Sequence, residues 1–306
     1  MGELNRRALG RALSRAADAG VAEALHTVIH APEDPIRRIA LTGAPGSGKS
    51  TLAGALARER LAAEATRRIG VLAIDPTSRY SGGAVLGDRI RMDGDDDQSR
   101  LFIRSLASRH TAEGLADNLG ALIALLAAYG FDEALIETVG VGQIDCAVRE
   151  LVDTVVLVIN PESGDVVQAM KAGVMETADL YVVNKADLPG ADRAVAALNG
   201  RGGAPRTPGW EPPVLTASMD DAASVRRLSE ALDAHQAWRS EAVDQHETRR
   251  RRRAYMLLAL LQRQVQRRAE TLGPTTDPAA LLESLAADFR SFADLVRDQG
   301  ETRDHG

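Results

Sequence analysis

Residues 38–50 read R-I-A-L-T-G-A-P-G-S-G-K-S: a short apolar run (Ile39, Ala40, Leu41), a glycine-rich turn, then Lys49, Ser50 and Thr51 at the head of a helix-forming segment. Gly43, Gly48, Lys49 and Ser50 fill the G-x-x-x-x-G-K-[ST] template of a phosphate-binding loop, in the strand-to-helix context that the template requires. Glycines let backbone N–H groups face a polyphosphate with no Cβ in the way. The helix N-terminus adds unpaired donors and partial positive charge. Ala44, Pro45, Gly46 and Ser47 complete the cradle, with Thr51 following. Lys49 is placed to reach the β/γ-phosphate oxygens and the Ser50 hydroxyl to ligate Mg²⁺. The stretch implies a bound nucleoside triphosphate.

Downstream, apolar runs repeatedly end in polar or acidic residues, as parallel strands do when they deliver side chains to the ligand edge of an open sheet. Ile69 to Ile74 ends at Asp75-Pro76, and a polar, glycine-rich segment then carries Asp88 toward the same metal. The segment Asp93 to Asp97 hints at a calcium loop, but Gln98 stands where the turn glycine belongs, so it reads as a solvated acidic loop. Leu101 to Arg104 reads as a strand, residues 111–129 as a helix, and Phe131 to Glu137 as the strand beside the phosphate loop. Glu137-Thr138-Val139-Gly140 takes the place of the D-x-x-G switch of GTPases. There the carboxylate would serve the metal and the Gly140 N–H would sense the γ-phosphate. Val141 follows the switch glycine directly and cannot orient water, so Gln143 is the nearest candidate and slow intrinsic turnover is expected.

Val155 to Asn160 and Tyr181 to Val183 are further strands, and the second ends in Asn184-Lys185-Ala186-Asp187. This N-K-x-D sequence selects the base. A carboxylate can accept from both N1–H and the exocyclic amine of guanine, whereas adenine has no such donor pair. Asn184 braces the loop, and the Lys185 stem lies along the ring. Such a bidentate contact is worth about 1–3 kcal/mol of discrimination, by analogy with base readout in duplexes. After the last strand, Val214 to Thr216, the residues Ala217, Ser218 and Met219 stand where a backbone N–H meets guanine O6. Residues 200–213 read as a loop, 221–238 as the closing helix, and 241–272 and 279–298 as two more helices.

The chain has 306 residues, 44% of them hydrophobic, enough for one large α/β domain with smaller helical extensions. Its formal net charge of −6 offers no global attraction to nucleic acid or an anionic membrane. No run is long and apolar enough to predict a transmembrane helix. The single cysteine, Cys146, excludes an intrachain disulfide and a multi-cysteine zinc site, and fits a reducing, cytoplasmic location. Of 37 basic residues only three are lysine, Lys49, Lys171 and Lys185, which makes them candidates for positions where a compact ammonium is required, with chance survival the open alternative for Lys171. The arginine run Arg249 to Arg253 lacks interleaved aromatics and reads as a solvated helix face. Leu257, Leu260, Leu261 and Val265 beside it read as a packing or dimer surface.

Taken together, G-A-P-G-S-G-K-S (43–50), D-P-T-S-R-Y-S-G-G-A-V-L-G-D-R-I-R-M (75–92), F-I-R-S (102–105), E-T-V-G-V-G-Q (137–143) and N-K-A-D (184–187) resemble the MeaB/ArgK-type G proteins, chaperones of cobalamin-dependent acyl-CoA mutases such as methylmalonyl-CoA mutase. The resemblance implies a P-loop NTPase of the SIMIBI type with a mostly parallel sheet flanked by helices. It divides the chain into an N-terminal helical extension (1–35), a GTP-binding domain (36–239) and a C-terminal helical dimerisation arm (240–306). It implies GTP/GDP and Mg²⁺, with Ser50, Asp75, Asp88 and Glu137 around the metal, and Gln168 and Lys171 responding to nucleotide and partner. It also implies a homodimer that gates adenosylcobalamin loading. A nickel-insertion GTPase would need clustered Cys or His, and a kinase would need ATP. One cysteine and N-K-A-D argue against these two alternatives in turn.

Overall fold

The computed structural model describes residues 4–30, 36–76, 99–108, 118–138, 144–161, 174–200, 209–273 and 277–297. Among these, seven strands form one sheet: β1 (Arg37–Thr42), β2 (Ile69–Pro76), β3 (Leu101–Ser108), β4 (Glu133–Glu137), β5 (Thr154–Ile159), β6 (Leu180–Asn184) and β7 (Val214–Ala217). Their spatial order is β3-β2-β4-β1-β5-β6-β7, and every pairing between them is parallel. β1 is central, flanked by β4 in register Leu41↔Glu137 and by β5 in register Thr42↔Leu157. The phosphate loop therefore leaves the sheet between the ends of two neighbouring strands, the crevice where ligands of open α/β sheets sit.

Both faces of the sheet are covered, which is why its strands read as continuous apolar runs. The period of two sends Ile39 and Leu41 to one face, against α3 (Lys49–Ala63) and α7 (Ala222–Ala242) through Leu52, Leu56, Val225, Leu228 and Leu232. Ala40, Leu72 and Ile136 go to the other, against α4 (Leu119–Ala128), α5 (Ile144–Leu151) and α1 (Arg6–Asp18), whose Leu9 and Leu13 are fully buried. Of the helix expected over 111–129, α4 is the described part. A further helix, α6 (Ala191–Asn199), packs Ala194 and Leu198 on the β6 side of the sheet, a helix absent from the sequence expectations above.

The C-terminal helices are α8 (Gln245–Leu272) and α9 (Pro278–Arg297), and Leu260 of α8 packs on α2 (Val21–His30). The arginine run differs from the solvated face its composition suggested. Arg252 is buried and donates to Asp153 Oδ1 (2.8 Å), and Arg253 donates to the Ile29 carbonyl of α2. Arg250 and Arg251 do face solvent, paired with Glu247. The helical period explains the split, because Arg252, Met256, Leu260 and Arg263 fall on one inward stripe. Arg239 of α7 also reaches Asp153 Oδ1 (3.2 Å) and the Arg38 N–H reaches its Oδ2 (2.9 Å), so one buried carboxylate joins α7, α8 and β1. The two arginine charges outweigh the burial that would raise the Asp153 carboxyl, holding it below the ordinary range.

Beneath β5, His235 is wholly buried beside Trp210 and Trp238, with ring centroids 4.7 and 5.5 Å away, and its Nδ1 lies 2.8 Å from Thr154 Oγ1. Burial pushes its pKa down to about 4, more than the nearby Asp179 charge can recover. In the unfolded chain this imidazole takes up a proton below about pH 6.5, while in the fold it does not until near pH 4. The unfolded state thus binds more protons in that window, and stability falls as pH drops through it, by up to about 3 kcal/mol. Urea unfolding of His235→Gln should show a flatter slope of stability against pH between pH 6.5 and 5 than the parent chain. Equal slopes would assign the titration to other groups.

Candidate nucleotide site

The phosphate loop is shaped by backbone conformations that side chains resist. Gly43, Gly46 and Gly48 all have positive φ, at 146°, 79° and 86°. A Cβ on Gly43 would stand 2.0 Å from the Val158 carbonyl oxygen of β5, so the loop passes that strand too closely for any other residue. Pro45 and Gly46 form the exposed tip, Ala44 and Ser47 are buried, and Thr51 is half-buried in the first turn of α3. Lys49 is buried, and its ammonium donates to the carbonyls of Gly43 (2.8 Å) and Ala44 (2.9 Å), folded back over its own loop. The Ser47 hydroxyl is buried with no hydrogen-bond partner among the described residues, a polar atom inside the cradle.

Ser50 and Glu137 come from opposite sides of the crevice and meet. The Ser50 hydroxyl donates to Glu137 Oε1 at 2.5 Å, with both residues buried. Register places Glu137 there, opposite Leu41 of β1 and Ala73 of β2. The adjacent Thr138 N–H donates to the Leu41 carbonyl (3.1 Å), so the chain leaving β4 stays against β1. Asp75 lies two residues beyond Ala73 on β2, with its side chain outside the described atoms. Asp88, Gly140, Gln143, Gln168 and Lys171 lie outside the described residues.

The base-reading loop is tied to the phosphate loop directly. Asn184 Nδ2 donates to the Ser47 carbonyl (2.8 Å) and Lys185 Nζ to the Gly46 carbonyl (3.0 Å). A Cβ at Gly48 would fall 2.3 Å from the same Asn184 Nδ2, so the glycine is required by this brace as well as by its own φ. Lys185 adopts a left-handed φ of 54°, rare for a side-chain-bearing residue and common where a loop is held for function. Asp187 is exposed, and Ser218 donates its hydroxyl to Asp187 Oδ1 at 2.7 Å. That bond is the main reason its carboxyl is held below the ordinary value.

Ala186 N–H donates to the Ala217 carbonyl (3.0 Å), continuing the β6–β7 pairing into the two loops. Of the three residues expected to offer an N–H to the base, Ser218 has its own N–H engaged by Ser224 Oγ (3.1 Å), while Met219 is 44% exposed on the turn. Ser224, on the first turn of α7, belongs to no motif, and nothing in the local spacing points to it. Its link to the loop comes from the turn bringing the helix start back onto the strand end. The structure thus brings together the phosphate loop, Glu137, Asn184, Lys185, Asp187 and Ser218 along one edge of the sheet.

A family model described as "Methylmalonyl Co-A mutase-associated GTPase MeaB" matches residues 7–273. A Pyrococcus horikoshii protein bearing a GTPase name is 39% identical over 269 residues, 85% of this chain and 83% of the relative. The "Fused isobutyryl-CoA mutase" of Geobacillus kaustophilus is 38% identical over 176 residues, 58% of this chain and 16% of that protein. Among solved structures, a LAO/AO transport system kinase superposes with a TM-score of 0.58 at 22% identity, covering 94% of this chain and all (100%) of that one, a likeness of fold. With the match running from α1 through α8 and the phosphate and base loops in place, the chain belongs to the MeaB family of methylmalonyl-CoA mutase-associated GTPases, and is a GTPase.

Proposed function

We propose that this GTPase gates the loading and protection of adenosylcobalamin in an acyl-CoA mutase, working as a nucleotide-dependent metallochaperone. The observation that carries the reading is that a fused acyl-CoA mutase contains a segment similar to this chain, within a family described by association with a mutase. Two activities joined in one polypeptide act at high effective concentration on each other.

The geometry around the phosphate and base loops supports the following roles. Lys49 gives up the Gly43 and Ala44 carbonyls and turns its charge to the phosphates. Asp187, whose carboxylate accepts the Ser218 hydroxyl, reads guanine, with Asn184 and Lys185 coupling base recognition to the phosphate loop. Ser50 and Glu137 offer a hydroxyl and a carboxylate that converge, hard oxygen donors suited to Mg²⁺, and Asp75 and Asp88 are the further candidates to hold it. When bound, the ion compensates charge developing on the phosphates. Gly140, Gln143 and Lys171 are assigned to the segments that respond to the γ-phosphate and to the partner. Leu258, Val265 and Leu272 recur every seven residues on the outer side of α8, exposed by 58%, 38% and 38%, and Leu282 and Phe289 of α9 are exposed as well. An apolar seam of this period suits a second copy of the chain, so the dimer is proposed to form through these helices.

The test is GTP turnover by the purified chain alone and with its mutase, with transfer of adenosylcobalamin to the apo-mutase followed by its absorbance. Turnover should rise when the mutase is added, toward the roughly 10³–10⁵-fold that completing a GTPase site can supply. Cofactor transfer should depend on the nucleotide state. Turnover that ignores the mutase, or transfer equal with and without nucleotide, would remove the gating function and leave the GTPase standing.

A further inference from the structure

Taking Asp187 as the base reader, we infer that Ser224 is a positioning residue that sets guanine selectivity by holding Ser218 against Asp187. The hydroxyl of Ser218 has one hydrogen, and it goes to Asp187 Oδ1 (2.7 Å), while the same oxygen accepts the Asp220 N–H (3.2 Å). Its direction therefore depends on how the backbone of the 218–221 turn is set. Ser224 sets it from within. Its Oγ accepts the Ser218 N–H (3.1 Å) and donates to the Asp221 carbonyl (2.5 Å), with the Ser218 carbonyl a second acceptor at 3.2 Å. The turn closes around this oxygen through the bridge between Ser218 and Asp221.

Helix capping does not account for the contact. Asp221 already caps α7, accepting the Ala223 N–H on its side chain (3.0 Å), and its carbonyl takes the Ser224 N–H (2.9 Å). While donating to the Asp221 carbonyl, the Ser224 hydroxyl oxygen also accepts the N–H of Ser218 at the strand end (3.1 Å), a contact that capping does not require, and both serines are buried, 2% and 7% exposed. Without that hydroxyl the Ser218 N–H loses its acceptor where water is scarce, and the turn must shift to satisfy it. Any such shift moves the Ser218 hydroxyl, and with it the exposed carboxylate that it orients.

Inosine triphosphate lacks the exocyclic amine of guanine and offers Asp187 one hydrogen bond instead of two. The GTP/ITP affinity ratio therefore reads the aim of this carboxylate. Ser224→Ala should compress that ratio by about three- to tenfold, the worth of one well-placed hydrogen bond, with the loss of GTPase efficiency falling on KM more than on kcat. Ser224→Thr, which keeps the hydroxyl, should restore it. Ser218→Ala should give the same compression, and the double variant should add little to either single change. Should the alanine variant be unstable, Ser224→Cys, with a poor acceptor of similar size, reads the same ratio.

A lower melting temperature with an unchanged GTP/ITP ratio would make Ser224 purely structural and overturn the inference. Asp187→Asn tests the underlying assignment separately. Its amide can donate to the 2-oxo group of xanthine, so preference should pass from GTP to xanthosine triphosphate. Failure of that switch would remove Asp187 as the reader, whatever Ser224 does.

Discussion

Lys49→Met is expected to lower GTP turnover by about 10²–10³-fold, the general cost of removing one preorganised donor to developing charge. Lys49 is buried at the head of α3, and its ammonium is held 2.8 and 2.9 Å from two carbonyls of the phosphate loop. An ammonium satisfied by carbonyls can exchange them for phosphate oxygens, which carry full negative charge and make the stronger partners. Methionine keeps the length and apolar stem while removing the charge, so packing against the loop survives and the electrostatic contribution does not. Single-turnover hydrolysis separates the effect on chemistry from nucleotide affinity, and thermal unfolding confirms that the loop remains folded. A Met variant turning over GTP at the parental rate would mean that the phosphates do not lie in this loop.

Arg60→Met is expected to cost about 3–5 kcal/mol of stability, the penalty for stripping the partner from a buried charge. Arg60 is fully buried on α3 and grips Glu133 of β4 with two bonds, 2.6 Å from Nε and 2.5 Å from Nη2. It also donates to Ser229 Oγ (2.8 Å) and Asp233 Oδ1 (2.8 Å) on α7. Burial alone would lower the guanidinium pKa, but the bonds and charges of Glu133 and Asp233 outweigh it and hold it above its ordinary value. One side chain thus fixes the helix that begins at Lys49 against the strand that ends at Glu137. Urea unfolding should show a lower midpoint with an unchanged m-value. Arg60→Met with Glu133→Leu should recover much of the loss, since the bidentate carboxylate leaves with its guanidinium, while Arg37 keeps Asp233 (2.6 Å) when it loses its longer contact with Glu133 (3.7 Å). A double variant as unstable as the single one would place the cost in packing instead of electrostatics.

The residues behind several of these contacts are legible in the sequence, while their partners are not. Gly43, Gly48, Lys49 and Ser50 are legible because a phosphate loop is local: its strand, turn and helix are consecutive, and its glycines answer to backbone geometry that the spacing encodes. Asn184 and Asp187 are legible for the same reason, as a four-residue turn at the end of an apolar run. The Arg249 to Arg253 run misleads because composition reports how polar a segment is and not which side of a helix meets another element. Arg252 turns inward to Asp153, 99 residues away in the chain.

Continuous apolar runs, turn glycines and the two nucleotide motifs were enough to establish a parallel α/β fold around a guanine-nucleotide site, because each depends on interactions within a few residues. Strand order, the meeting of Ser50 with Glu137 across 87 residues, the brace from Asn184 to Ser47 across 137 and the seat of Ser218 under Ser224 came only with the assembled sheet. The physical reason is that such pairings are chosen by whichever faces bury together, and periodicity names a face without naming its partner.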